Sequence, residues 1–429
     1  WDTTATYIGT DGSGSGAGAE GNLISGNHNY GIRLYNSQGN YIAGNKIGTD
    51  SSGTLALENT AGGIFLDRSY FNYIGTDGDG TGDTIERNLI SGNGGNGIDL
   101  AGIGSEDNFI AGNIIGLDIS GTTPIPNENN GVKLSIGANE NIVGTNGDGT
   151  SDVIERNIIS GNTECGVSIG GERNLISGNY IGTNGSGTTA VANTTYGVCI
   201  SNAINNTIGS NGDGKGDLQE WNVISGNNSG GVYITTTGLA TNANLIQGNF
   251  IGTNASGTSA LGNIGPGVYL NNVVDNRVGF PTESLKNVIA YNTGPGIVFI
   301  GTTNLIGNQF NGNSIYSNSF VIDLGYNGVT SNDTGDGDTG PNGLLNYPVI
   351  TGAESTGDSI SLAVSYSSKA SKPYVLEFFW SRNCDVSGFG QGEVYLGWDS
   401  VTTDASGSVI KQIGLPYDQI PSGFITGVA

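Results

Sequence analysis

The chain has 429 residues, of which 77 are glycine and only 12% are charged, and its net charge is −24. Nucleic-acid binding draws its affinity from basic groups on phosphate, so this balance excludes it. Anionic membranes and polyanionic glycans are also repelled at long range unless a cation bridges.

Abundant glycine with low charge is a signature of disorder, but regularly spaced Ile, Val and Leu argue against it here. No apolar run reaches the length of a bilayer span, so no membrane insertion is expected. The chain opens at Trp1 and contains no Met, and it reads as a processed, secreted product. Three cysteines, Cys165, Cys199 and Cys384, form neither a disulfide framework nor a CxxC metal site. They read as three unpaired thiols.

Internal repeats dominate the chain. The motif Asn-x-Ile-Ser-Gly-Asn begins at Asn22, Asn88, Asn157 and Asn222, with a worn copy at Asn287; the steps are 66, 69, 65 and 65 residues. A further copy at Asn174 is out of register and belongs to a different strand. Within each long repeat Gly-Asn-x-Ile-Gly recurs, as at Gly44–Gly48 and Gly112–Gly116. A third motif, Gly-Ile/Val-x-Leu/Ile, starts at Gly31 and returns every 29 to 36 residues. Each long repeat therefore holds two coils, about ten in all. Short apolar segments with period two are strands rather than helices.

Each coil reads as three strands: GIxL, NxIxG, then NxIG or NxISGN. A long loop follows the third strand in one class of coil, as at Thr49–Asn59. In the other it separates the second and third strands, as at Gly75–Arg87. In GIxL the second and fourth positions should point inward. They run from Ile32/Leu34 to Val268/Leu270 and are aliphatic throughout. The third position should point outward; Arg33, Phe65, Asp99, Lys133, Ser168, Cys199, Tyr233 and Tyr269 make a mixed, solvated face. Gly and Asn suit the tight corners, and stacked Asn side chains can bond from coil to coil. The fold expected is all-β: a right-handed parallel β-helix over residues 1–342, then a small antiparallel β-sandwich over 343–429. Strands are expected there at Ser359–Tyr366, Tyr374–Trp380, Val394–Thr402 and Val409–Gly414.

The segments NLISGN, GNYIGTNGSGT and TDGDGTGDTIERNLISGN resemble those of bacterial secreted and cell-surface right-handed parallel β-helix proteins. Asn332–Pro348 resembles the exit from such a helix, and Glu377–Gly397 the small β-domain after it. The resemblance covers nearly the whole chain and implies an extracellular, cell-surface or matrix role without a specified reaction. In that family the last strand continues past a segment like Phe424–Ala429. Both ends of this chain thus read as cut, and self-association by head-to-tail stacking or strand exchange is expected, with filaments as one outcome.

The sharpest constellation is acidic. Asp77, Asp79, Asp83 and Glu86 sit at offsets that Asn146, Asp148, Asp152 and Glu155 repeat, as do Asn211, Asp213, Asp217 and Glu220. A glycine-turned loop rich in hard oxygen ligands suits Ca2+, and a solvated turn with Asx bonds to its own backbone is the other reading. An earlier copy, Asp11/Ser13/Ala17/Glu20, has lost two ligands. Asp333, Asp336 and Asp338 form another acidic turn. Glu86–Arg87 and Glu155–Arg156 recur as surface ion pairs. No residue is assigned as catalytic: the basic residues are scattered, and the single His28 lies beside a corner. A carbohydrate-binding or polysaccharide-degrading protein is the alternative, with outward Phe65, Tyr233 and Tyr269 as possible glycan contacts. Cover by a neighbouring loop or domain is the plainer account of those rings. Sequons occur at Asn193 and Asn254.

Overall fold

The computed structural model describes residues 6–238, 240–302, 305–355, 358–385, 387–416 and 422–429; Trp1 lies outside them. Three parallel sheets of ten strands each run the length of a β-helix. The first face holds the GIxL strands, from Tyr30–Tyr35 to Ile322–Leu324. The second runs from Tyr7–Gly9 to Gln309–Phe310, and the third from Leu23–Ile24 to Ser314–Tyr316. Leu175–Ser177, inside the out-of-register copy of the motif, joins the second face.

Register follows the aliphatic columns. Ile64 pairs with Ile98, and Val132 with both Ile98 and Val167. The inward side chains merge into one continuous core, with Ile64, Leu100, Val132 and Ile200 fully buried. The outward column is half-buried at most positions rather than solvated, because side chains of adjacent coils lie only about 4.8 Å apart and cover one another.

Each of the three corners carries a column of asparagines, buried except at Asn22 and Asn27. One runs from Asn40 to Asn308, with each Nδ2 donating to the Oδ1 one coil further on at 2.8–3.3 Å. The second runs from Asn22 to Asn313 at 2.8–3.1 Å. The third runs from Asn27 to Asn318 at 2.7–3.0 Å. Asparagine fits because one short side chain both donates and accepts. Asn141 illustrates the density: its Oδ1 accepts from Asn108 Nδ2 and from the Asn108 backbone N–H, at 2.9 and 3.0 Å. Its Nδ2 serves Ser105 O, Asn139 O and Asn174 Oδ1.

The coils end at Ile322–Leu324. Two three-stranded antiparallel sheets follow: Val349–Ser355, Ser359–Ser367 and Ser408–Pro416 form one, and Val394–Thr402, Pro373–Ser381 and Phe424–Val428 the other. They enclose a core that includes Leu362, Phe378, Trp380 and Ile413. Val349–Ser355, which holds Gly352 and lies largely exposed, is a strand without an apolar alternation to announce it. Pro373–Ser381 is buried on both sides over its second half, since one side faces the sandwich core and the other the end of the β-helix. There Glu377 Oε2 accepts the Gly312 N–H at 2.9 Å, and Gly392 and Ile315 exchange backbone bonds at 2.7 Å.

The cysteine expectation fails. Cys165 and Cys199 form a disulfide, 34 residues apart, and only Cys384 is a free, exposed thiol. Cys165 precedes Gly166 and Cys199 follows Gly197 by two, so the bridge joins different positions of adjacent coils. Column-by-column alignment does not bring such a pair together.

Two outcomes follow for this scaffold. Asn141→Ala strands several buried polar groups and should cost about 3 kcal/mol in chemical denaturation, against about 0.5 kcal/mol or less for the exposed Asn228→Ala. Alkylation without reductant should label Cys384 alone, and a digest should contain one peptide pair joined through Cys165 and Cys199.

Candidate cation-binding loops

The acidic motifs lie on loops that leave the second face and enter the third in alternate coils. The strands Tyr73–Gly75, Ile142–Gly144 and Thr207–Gly209 lead in. Each loop starts with a hydroxyl, Thr76, Thr145 or Ser210, which accepts the N–H of the glycine two residues on at 3.0, 3.0 and 3.1 Å. Thr76 Oγ1 donates to Asp83 Oδ1 at 2.9 Å, and Thr145 Oγ1 to Asp152 Oδ1 at 3.2 Å.

The loop closes through its glutamate. Glu86, Glu155 and Glu220 accept the backbone N–H of Asp77, Asn146 and Asn211 at 3.3, 3.1 and 3.0 Å. The exposed members, Asp79, Asp148 and Asp213, cap their own turns by accepting the N–H two residues on, at 2.6, 2.7 and 2.8 Å. Asp217 Oδ1 likewise accepts the Gly214 N–H at 3.1 Å. Asx bonding is thus real in these loops, and it occupies the outer residues more than the inner ones.

Asp77, Asp83 and Glu86 each present an oxygen within 4.8 Å of the others, a spacing one cation can span. Asp83 and Glu86 are buried and Asp77 is half-buried. The first copy is poorer, with Ala17 in place of the inner aspartate and Glu20 bonded to Thr10 Oγ1 at 3.1 Å. Asp333, Asp336 and Asp338 also converge within 4.8 Å. Asp336 is tied to the Asn346 N–H and the Ser368 hydroxyl, both at 3.0 Å, so that turn braces the passage into the sandwich.

The three glutamates are the unusual groups. Glu86 is 4% exposed, and Glu155 and Glu220 are 0% exposed. Burial first, and then neighbouring carboxylates, push all three up to about 7. Glu86 Oε1 packs on Gly12 of the preceding acidic loop, Glu155 Oε1 on Gly78 and Glu220 Oε1 on Gly147; a Cβ at any of these glycines would collide with the carboxylate. Ser151 Oγ also bonds Asp83 Oδ2 across neighbouring loops. The acidic loops are therefore a stacked column.

The expected Glu–Arg ion pairs are not formed, because the glutamate turns into its loop and the arginine lies on the outside of the third face. Arg156 covers the Tyr180 ring at 4.2 Å and donates from Nε to Gly178 O at 2.8 Å. Phe65 and Tyr233 are covered by rings from adjacent coils rather than by a loop. Tyr30 stacks on Phe65 at 4.6 Å, and Tyr196, Tyr233, Tyr269 and Tyr326 follow one another at 4.8, 5.3 and 5.9 Å. Tyr30 and Tyr196 precede their GIxL motifs, which hid the column from the motif alignment. Asn193 is a buried rung, and Asn254 spends its Oδ1 on the Thr258 and Ser259 N–H groups at 3.0 and 3.1 Å. His28 is exposed.

A carboxylate network on the first face escaped the sequence reading. Asn96 Nδ2 donates to Asp99 at 3.0 Å, Asn130 Nδ2 to Asn96 Oδ1 at 3.1 Å and to Glu164 Oε2 at 2.7 Å. Burial raises the pKa of Asp99, and Lys133 opposes the rise.

The glutamates make stability depend on pH. A carboxyl whose pKa is higher folded than unfolded favours the native state below its unfolded value, and that contribution is lost as pH rises through the folded value. In chelator, the melting temperature should fall between about pH 4.5 and about pH 7, and the E86Q/E155Q/E220Q variant should flatten that fall.

No curated protein matches the chain. Residues 10–116 match the family model "Periplasmic copper-binding protein (NosD)". That stretch does not fit copper, which favours imidazole, thiolate and thioether: it offers His28 alone, without Cys or Met. Among solved structures, the mannuronan C-5 epimerase AlgE4 A-module of Azotobacter vinelandii is 12% identical, with a TM-score of 0.24, over 71% of this chain and 75% of that one. Tailspike protein 2 of Escherichia coli O157:H7 bacteriophage CAB120 is 12% identical, with a TM-score of 0.21, over 99% of this chain and 65% of that one. Among the described residues no helix is long and apolar enough to cross a membrane. By the parallel pairing of its own thirty strands, three faces of ten, the chain is a parallel β-helix protein that ends in a β-sandwich.

Proposed function

We propose that this chain is an extracellular structural or adhesive rod of the cell surface that associates with copies of itself. The observation that carries the reading is the set of three asparagine columns, unbroken from the first coils to the last. They fix a long, regular surface along the stack. The disulfide supports an oxidising location outside the cytoplasm. Val349–Ser355 supports association: it is an edge strand of the sandwich, mostly exposed, and such edges accept another strand. The acidic loops serve the rod as cation-binding turns, with calcium as the cation that an oxygen-only donor set suits.

Asp99 and Glu164, held through Asn96 and Asn130 with Lys133 beside them, favour a second reading, a carbohydrate-binding or polysaccharide-processing face. Sedimentation velocity and negative-stain microscopy over a wide concentration range test the first. End-joined or strand-exchanged particles that grow with concentration are expected. Monomers throughout, together with cleavage of a polysaccharide that D99N/E164Q abolishes, would replace it with the second.

A further inference from the structure

The loop column buries two carboxylate oxygens that no hydrogen-bond donor reaches. Glu155 and Glu220 are wholly buried, and each accepts the amide of Asn146 or Asn211 at Oε2, with the Thr145 or Ser210 hydroxyl also bonding the carboxylate. The other oxygen, Oε1 in both, has no hydrogen-bond donor. A buried carboxylate oxygen without a donor is strongly disfavoured, so native proteins supply it with a proton, a donor or a cation.

The repeat connects this with the converging carboxylates of the earlier loop. The threonine-to-aspartate bonds of Thr76 and Thr145 are equivalent, as are the amide-to-glutamate bonds of Asp77, Asn146 and Asn211. Asp152 and Glu155 are therefore placed as Asp83 and Glu86 are, and in that first loop three carboxylate oxygens lie within 4.8 Å. Convergent oxygens in one copy and buried oxygens without a donor in the next two are both arrangements that a bound cation would satisfy.

We infer that each of the three loops holds one hard divalent cation, with Glu86, Glu155 and Glu220 as the inner anchors, Asp83, Asp152 and Asp217 as second carboxylates, and Asp77, Asn146 and Asn211 as outer ligands. The cation locks each loop to itself, and the glutamate seated on the glycine of the loop before it passes that rigidity along the column. The copy with Ala17 stays empty. The oxygen-only donors and flexible glycine turns select calcium over magnesium, which demands a tight octahedron. This inference rests on the calcium reading of the loops and not on self-association.

Isothermal titration of calcium into chelator-treated, dilute full-length chain tests it, with magnesium as control. Three calcium ions per chain are expected, with a rise in melting temperature, and at least tenfold weaker binding of magnesium. E86Q/E155Q/E220Q keeps the side-chain volume and an acceptor for each amide, so it should fold, show the same circular dichroism and lose the calcium heat. Absence of calcium heat in the wild-type chain overturns the inference and leaves protons as the partners of these glutamates. Undiminished binding in the triple variant also overturns it and moves the ion elsewhere, with Asp333, Asp336 and Asp338 as the next place to look. Calcium uptake by a chain that stays monomeric would sink the self-associating rod and leave these sites standing.

Discussion

The rest of the molecule depends on a hydrogen bond between one asparagine amide and the next. A β-helix must turn three times per coil, and each turn strips backbone groups of strand partners while burying them. The corner asparagines supply what is missing: each Oδ1 takes the side chain of the coil before and, at most rungs, its backbone N–H as well, as Asn72 does for Asn40. Because every rung donates in the same direction, no coil can slip by a residue without breaking three columns at once. The aliphatic core stabilises the stack, but Ile and Val alone would tolerate several registers. The asparagines choose one.

This regularity explains why the variable part of the chain lies in loops. The core and corners are spent on repetition, so chemistry is confined to insertions between faces and to the outward columns. The two loop classes sit on different corners and alternate, which lets equivalent loops two coils apart touch. Glycines at Gly12, Gly78 and Gly147 adopt φ of +73°, +75° and +72° and leave room for the glutamate above. What looks in sequence like a floppy acidic turn is a packed column with three carboxylates inside it.

Much of this was legible in the sequence because it repeats. The alternating aliphatic pairs and the spaced asparagines predicted the faces, the coil number and the positions of the long loops. The sandwich strands from Ser359 onward were legible too. What the sequence hid lies off the repeat. The Cys165–Cys199 bridge and the Tyr30–Phe65 stack both join a residue just before one GIxL motif to the third position of the next. Glu86, Glu155 and Glu220 look like surface residues because they close loops rich in Asp and Gly; only the stacking of loops two coils apart removes them from water. Asp99 and Glu164 meet through two asparagines from different coils, a geometry no local spacing encodes.

At the far end of the β-helix the sandwich supplies a substitute rung. The Asn318 N–H, whose counterpart at Asn292 in the preceding coil bonds the next asparagine, bonds Gln391 Oε1 at 3.1 Å, and Gln391 Nε2 returns a bond to Asn318 O at 2.9 Å. Asn342 Nδ2 likewise closes on Asn308 O at 2.8 Å. The terminator thus occupies the rung that one coil offers the next, beside its bonds to the Gly312 and Ile315 backbone. Length in such a molecule is a free variable: duplicating or losing a unit of about 65 residues keeps an asparagine rung at both splice points. A lineage carrying this architecture can change its reach by recombination between repeats without redesigning the stop.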